Sequence, residues 1–417
     1  MKPIIVLGSG LAGYTVVREL RKLNREIPIT MISQDSGDYY SKPTLSNAFA
    51  QGKAPAALVL TSAEAMEKQL GITLLTHCKV NAIHRLTQQL DTSAGLLDYD
   101  RLVLAAGADP IHIPLQGNAA DDVLTVNDLA DYAHLRDQLE GAKTVAIMGG
   151  GLIGCEFAND LAIAGFKVHV IDPGPYPLAG LLPEQAGTQL LEPLSKMGVI
   201  WHFGSAVHSM NASDTGYALT LTDNSTLTGM AAATPNNETS MPVPLTQTLS
   251  QRERGQTSAC ASFTLNADLV LSAVGLRPRT QLAREAGLTV NRGIVVDDQL
   301  RSSDAAIYAL GDCAEIDGRV LPFVLPIMQA GRALAKVLNG EDAKVVFPYM
   351  PVVVKTPAHP VAVSPVARDA AGAWQVLASG QGIKMGFFNP QNQMIGFSIS
   401  GEFTAERNEM TKLLVTI

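Results

Sequence analysis

At 417 residues, 47% hydrophobic and only 17% charged, the chain has enough apolar content to bury the cores of two or three domains. A formal net charge of -8 argues against a general nucleic-acid binder. The four cysteines, Cys78, Cys155, Cys260 and Cys313, form no C-x-x-C and no zinc spacing, and the eight histidines are scattered, so neither a disulfide framework nor a metal site is expected.

The N-terminus runs straight from a strand into a glycine turn, without the layout of a signal peptide. No apolar run is long enough to span a bilayer. A soluble, cytoplasmic protein with no membrane insertion is expected.

"PIIVLGSGLAGYTVVREL" reads as strand, tight turn and helix. Ile4 to Leu7 suit a buried parallel strand. Gly8, Gly10 and Gly13 make G-x-G-x-x-G, and Leu11, Val16, Val17 and Leu20 give the helix an apolar face. The next strand, residues 29–33, ends near Gln34 and Asp35. "YYSKPTLSNAF" (39–49) follows, with a lysine before a proline and no cysteine. Val80 is placed on one strand, "LLTHCKVNAI". "DRLVLAAGADP" (100–110) is an apolar strand running to Gly107.

The opening pattern then returns. Val145 to Met148 read as a strand, Gly149, Gly151 and Gly154 as the second G-x-G-x-x-G, and a helix leads to the strand "KVHVI", closed by Asp172. One such motif is weak evidence; two, each in strand–turn–helix–strand context, are strong. A pyrophosphate must sit against backbone N–H groups at a helix N-terminus, where a side chain would block it. The plain alternative is a pair of glycine turns that bind nothing.

Residues 230–261 are rich in Ala, Thr, Ser, Pro, Asn and Gln. They read as a long, mobile surface loop interrupting two strands, or else as a partner-binding loop. "ADLVLSAVGLRP" (267–278) repeats the apolar-strand theme and ends near Gly275. "AAIYALGDCAEIDG" (305–318) is a strand that delivers Asp312 beside a glycine. A buried acid needs a polar partner, such as a ribityl hydroxyl; the alternative is that Asp312 caps the next helix. Cys313, without a cysteine nearby, reads as packing. From Val345 the texture changes to strands at 347–365 and 395–403 and a closing helix at 405–414, a third and smaller α+β domain.

This ordered set resembles the FAD-dependent pyridine nucleotide–disulfide oxidoreductase superfamily across nearly the whole chain. Within it, "YYSKPTLS", "GGGLIGCEFANDLA", "LSAVGLRPRTQLA", "NRGIVVDDQLRSS", "YALGDCAEIDG", "LPFVLPIMQAGRALA" and "MPVVVKTPAHP" are similar to the rubredoxin reductases. The resemblance implies an α/β protein with two Rossmann-like, FAD/NAD(P)-binding domains, the NAD domain inserted in the FAD domain, plus the small α+β C-terminal domain. On that layout residues 1–108 and 274–338 form the FAD domain, 109–273 the NAD domain and 339–417 the third.

The resemblance also implies the site. Gly8, Gly10 and Gly13, with Ser9 and Leu11, cradle the FAD pyrophosphate. The acid usual at the end of the second strand is missing at Ser33, so Ser33, Gln34 or Asp35 serves the adenosine ribose. Val80 presents backbone to adenine, Gly107 lies along the FAD, Asp312 holds the ribityl chain, Val324 approaches the isoalloxazine and Lys355 reaches the flavin from the third domain. A helix starting near Pro326 offers its N-terminus to the reduced, anionic flavin. Gly149, Gly151 and Gly154 bind the NADH pyrophosphate, and Gly275 lies along the nicotinamide half. Asp172 accepts from ribose hydroxyls and repels a 2′-phosphate, and no arginine follows in "PGPYPLAG", which selects NADH over NADPH.

Lys42 and Glu156 are expected as a charge pair near flavin N5, the glutamate serving as the buried lysine's counter-charge. The superfamily's disulfide enzymes carry a cysteine pair before that lysine; here the lysine stays without it. Hydride from NADH to FAD would then be followed by release of single electrons to a docked carrier, and the resemblance names rubredoxin, a small iron protein. The alternatives are an NADH-dependent ferredoxin reductase or NADH oxidase on the same fold, or a non-enzymatic NADH-sensing flavoprotein. A monomer or homodimer is expected.

Overall fold

Five short parallel strands drawn from two distant parts of the chain make the first sheet of the computed structural model, which describes residues 2–223, 263–367 and 369–415. Their order is Ile307–Ala309, Arg101–Leu104, Ile4–Leu7, Ile29–Ile32 and Thr73–Leu75. Both faces of a parallel sheet are covered, which is why these strands are mostly apolar; Ile5, Met31, Leu102 and Ile307 are wholly buried. The helix Leu11–Leu23 packs against the sheet and against the helix Val324–Leu338. Gly331 permits that close approach, because a Cβ there would lie 2.6 Å from the Thr15 side chain. Ile4–Leu7 has neighbours on both sides that connect in opposite directions, so its C-terminal end opens at a topological switch point, where such sheets bind ligands.

A second parallel sheet repeats the plan, in the order Val199–Phe203, Lys167–Asp172, Thr144–Met148 and Leu269–Ser272. Its glycine turn leads into the helix Leu152–Ile163, whose residues from Gly154 to Ala162 are all buried. A helix buried nearly all round must be covered on more than one side. Here the covers include its own sheet and the turn Lys42–Asn47 of the first unit.

The three-stranded antiparallel sheet Ser205–Ser213, Gly216–Asp223 and Phe263–Ala267 lays Val207, Met210 and Leu219 over Ala146, Met148 and Ile171. Residues 230–261, read from sequence as a surface loop, lie outside the described residues. The strands on either side of them are paired, with Leu221 opposite Phe263.

The chain leaves the first sheet through Ala108–Pro110 and returns through Leu276–Pro278. These two crossings pair antiparallel, side by side. The third unit is a five-stranded antiparallel sheet in the order Val352–Val354, Val361–Ser364, Met394–Ser400, Ile383–Phe388 and Ala373–Ser379, closed by the helix Arg407–Lys412. Sequence reading marked the first, second and third of these strands. It missed Ala373–Ser379, which is exposed along most of its length and shows no apolar alternation, and its partner Ile383–Phe388. Val352, Val354, Val361 and Val363 share one core with Val145, Ile147 and Leu161 of the second unit. Among the described residues, no helix is long and apolar enough to cross a membrane.

Candidate active site

The two glycine turns are near copies. Gly8 has φ +113° and Gly149 has φ +102°, in the region that favours glycine. A Cβ on Gly8 would lie 2.2 Å from the Ala105 carbonyl oxygen, and one on Gly149 would lie 2.6 Å from that of Ala273. Gly13 and Gly154 have no such room either, since each would drive a Cβ to 1.9 Å from the carbonyl oxygen of the first glycine in its own turn. Gly10 and Gly151, the helix N-caps, differ: a Cβ on either meets nothing within 4 Å. That open space lies at a helix N-terminus with free amides, so both turns fit a dinucleotide pyrophosphate.

A cleft of ≈ 1410 Å³ opens from the first turn. This is larger than the roughly 300–1,000 Å³ of common small-molecule sites and leaves room for a dinucleotide. From the first unit it is lined by Gly8, Ser9, Gly10, Leu11, Ser33, Gln34, Asp35, Lys42, Val80 and Gly107, and later by Asp312 and Val324. The second unit contributes Glu156 and the third Lys355. Gly13 lies inside its helix, and Gly149, Gly151, Gly154, Asp172 and Gly275 are not among the cleft's lining residues. Asp172 meets the second glycine turn at Gly150, while Gly275 lies beside the paired crossings, its carbonyl accepting from the Ile111 N–H at 3.0 Å.

At one end, Ser33 is buried with its Oγ 2.6 Å from the Ser9 Oγ, while Asp35 accepts from the Ser33 hydroxyl and from the Gly37 N–H at 2.9 Å. The strand expected across "LLTHCKVNAI" is in fact two, Thr73–Leu75 and Val80–His84, because the chain turns at His77 with φ 50°. Val80 still reaches the cleft. At the second turn, the Asp172 carboxylate accepts from Gly150 N–H at 2.5 Å and from Gly174 N–H at 2.6 Å, at the end of the strand Lys167–Asp172.

Asp312 sits in the turn Gly311–Cys313 and caps no helix; the next one begins at Val324, two residues before the expected Pro326. Among the described residues its side chain has no hydrogen bond and no ion pair. Burial pushes its carboxyl up, and the charge of Lys42 opposes that shift. An unsatisfied carboxylate facing a cleft fits a polyhydroxyl chain such as the ribityl of FAD. The helix Val324–Leu338 has no acid in its first turn, and Val324, Leu325 and Pro326 all line the cleft.

The expected Lys42–Glu156 pair is corrected. Both residues line the cleft, but Glu156 is bound by Lys355, whose Nζ lies 3.1 Å from Oε2 and whose backbone N–H donates to Oε1 at 2.9 Å. Ser46 Oγ donates to Oε2 at 2.5 Å. Lys355 Nζ also donates to the Pro43 carbonyl. The strand Val352–Val354 carries Lys355 directly over the helix Leu152–Ile163, so the third unit supplies the glutamate's counter-charge. Lys42 donates instead to Asn127 Oδ1 at 2.5 Å. Burial pulls its pKa down, with the charge of Asp312 the largest opposing influence.

Sequence reasoning missed Asn127 and Ser46. Both are short polar residues in loops or turns, where their types carry no distinctive signal. Cys313 is fully buried, its Sγ 3.4 Å from the carbonyl oxygens of both Leu104 and Leu310, and burial pushes its thiol up to about 11. Cys78, Cys155 and Cys313 are all free and buried.

Residues 2–336 match the family model described as pyridine nucleotide-disulphide oxidoreductase, and residues 344–414 match a rubredoxin binding C-terminal domain. The chain is 42% identical over 418 residues, 100% of both chains, to the rubredoxin-NAD(+) reductase of Alcanivorax borkumensis. It is 38% identical to the rubredoxin-NAD(+) reductase of Acinetobacter baylyi, covering 99% of this chain and 98% of that one. Its fold is also that of the reductase in the covalent putidaredoxin reductase–putidaredoxin complex, with a TM-score of 0.81 at 24% identity, covering 99% of this chain and 92% of that one.

Proposed function

Since the chain belongs to the pyridine nucleotide-disulphide oxidoreductase family, we propose that it is an FAD-dependent NADH:rubredoxin oxidoreductase without a redox-active disulfide. The observation that carries this reading is where the third unit sits. The region matching a rubredoxin-binding domain contributes Met350, Val353 and Lys355 to the same cleft onto which the first glycine turn and Glu156 open. An acceptor docked on that unit would stand beside the flavin.

The chemistry, hydride acceptance from NADH and release of single electrons, is supplied by FAD when bound. The chain's residues bind, orient and exclude water. The amides after Gly10 and Gly151 would hold the two pyrophosphates, and Asp312 would fix the ribityl chain. Asp172 would accept from the NADH ribose and repel a 2′-phosphate. Lys42 presents positive charge inside the cleft. Glu156 and Lys355 tie the three units together at the cleft wall. The domain limits at residues 108, 274 and 338 are part of this proposal; the paired crossings Ala108–Pro110 and Leu276–Pro278 support the first two.

The test follows NADH oxidation with rubredoxin as acceptor, coupled to cytochrome c, with a control lacking rubredoxin and a second arm with NADPH. Rapid, NADH-selective turnover that needs rubredoxin is the expected result. Turnover that is equally fast with oxygen alone or with a ferredoxin would overturn the acceptor assignment and leave both nucleotide sites standing.

A further inference from the structure

Asn127 belongs to no motif, yet its surroundings are tightly determined. It is 8% exposed and directly precedes Asp128, the N-cap of the helix Leu129–Gln138. Its backbone N–H donates to Asp131 Oδ2 at 2.8 Å, while Asp128 Oδ1 accepts from the Asp131 N–H at 2.9 Å. This reciprocal capping pins the backbone at the helix start. The side chain then has one orientation available. Nδ2 donates to the Ala108 carbonyl at 3.0 Å. A carbonyl oxygen only accepts, so the amide NH₂ must face Ala108 and Oδ1 must face the other way. Lys42 Nζ meets it there at 2.5 Å.

The chemistry of that acceptor matters. A carboxylate at this position would form an ion pair and cancel much of the lysine's charge. A neutral amide orients the ammonium and leaves its charge available. Lys42 makes no ion pair among the described residues: the charges of Asp312, Asp128 and Asp109 act on it from beyond ion-pair contact, and Glu156, the nearest candidate by sequence reading, is occupied by Lys355. Two-electron reduction adds negative charge to an isoalloxazine, and a fixed cation in a cleft with little water favours the reduced state.

We propose that Asn127 is the positioning residue that holds Lys42 in the cleft as a cation with no carboxylate in ion-pair contact, so that its charge favours the reduced flavin. The inference rests on the functional reading above in placing FAD in the cleft. Its test is the midpoint potential of the bound flavin, measured by spectroelectrochemistry on FAD-loaded full-length protein. Two variants, N127L and N127S, remove the anchor in different ways, so that one misfolding leaves the other; absorption spectra check FAD loading. K42M and the K42M/N127L double variant complete the cycle.

N127L and N127S are expected to shift the potential negative, in the same direction as K42M. The size expected is about a tenfold loss in the preference for reduced over oxidised flavin, or about 30 mV for a two-electron couple. K42M/N127L should match K42M alone. Wild-type potentials in both Asn127 variants, alongside a shifted K42M, overturn the inference, since Asn127 would then only cap a helix. A double variant shifted by the sum of the single effects also overturns it. A K42M potential equal to wild type does the same, while rubredoxin-dependent NADH turnover by the unaltered enzyme decides the functional reading separately.

Discussion

Glu156 draws its three hydrogen bonds from Ser46 in the first unit and Lys355 in the third, while lying in the second. Replacing Lys355 by Met removes the charge partner but leaves the Ser46 hydroxyl and the backbone N–H. Breaking a fully buried pair costs about 3–5 kcal/mol. The lysine side chain is 33% exposed, so K355M should cost less, about 1–2 kcal/mol. Urea unfolding of the FAD-loaded protein measures it, and a loss indistinguishable from zero would mean that the pair does not brace the cleft. Asp160 gives a pH signature. Burial raises its pKa from 3.8 to about 6, although the Phe49 and Ala50 N–H groups pull the other way. A raised folded pKa means that the native state binds the extra proton. Its contribution to stability is therefore greatest at acid pH, falls as pH rises through 3.8 to about 6, and is constant above. D160N should lose this segment of the pH profile; an unchanged slope there would assign it to other groups.

At the scale of elements, the glycine turns separate into positions that shape the fold and positions that leave room for a ligand. Gly154 faces the Gly149 carbonyl, and an added Cβ would sit at 1.9 Å from its oxygen. G154A should therefore force apart the strand Thr144–Met148 and the helix Leu152–Ile163, lowering stability by about 3 kcal/mol or more. Gly151 has φ −76° and open space where its Cβ would go. G151A should fold normally and retain FAD, yet raise the KM for NADH by about tenfold or more, because the methyl enters the space a pyrophosphate would take. Thermal unfolding and NADH titration of the pair check both halves. Equal KM effects with equal stability would remove the distinction. Both turns were legible in the sequence, because close backbone approach demands glycine at fixed local spacing. The break after Leu75 was not, since His77 takes a positive φ without being a glycine.

Across the whole molecule, the second and third units share one core, built from residues such as Leu161, Ile147, Val354 and Val361. The two tryptophans report on it from its two units: Trp201 on the strand Val199–Phe203 and Trp374 on the strand Ala373–Ser379. W201F and W374F each leave one probe, and both should show the same urea midpoint. V354A, which removes part of a buried side chain, should lower both midpoints together, by a shift equivalent to about 1–3 kcal/mol of stability. Separate midpoints would mean that the third unit unfolds alone. The sequence by itself determined the two glycine turns, the apolar strands that feed them, the placing of Asp312 beside a glycine at a strand end and the lack of a cysteine pair beside Lys42, all features written in adjacent residues. Only the tertiary structure decided the charge partners. Glu156 meets Lys355 across 199 residues and Lys42 meets Asn127 across 85, and partners so far apart are chosen by where three packed units bring their loops and edges together.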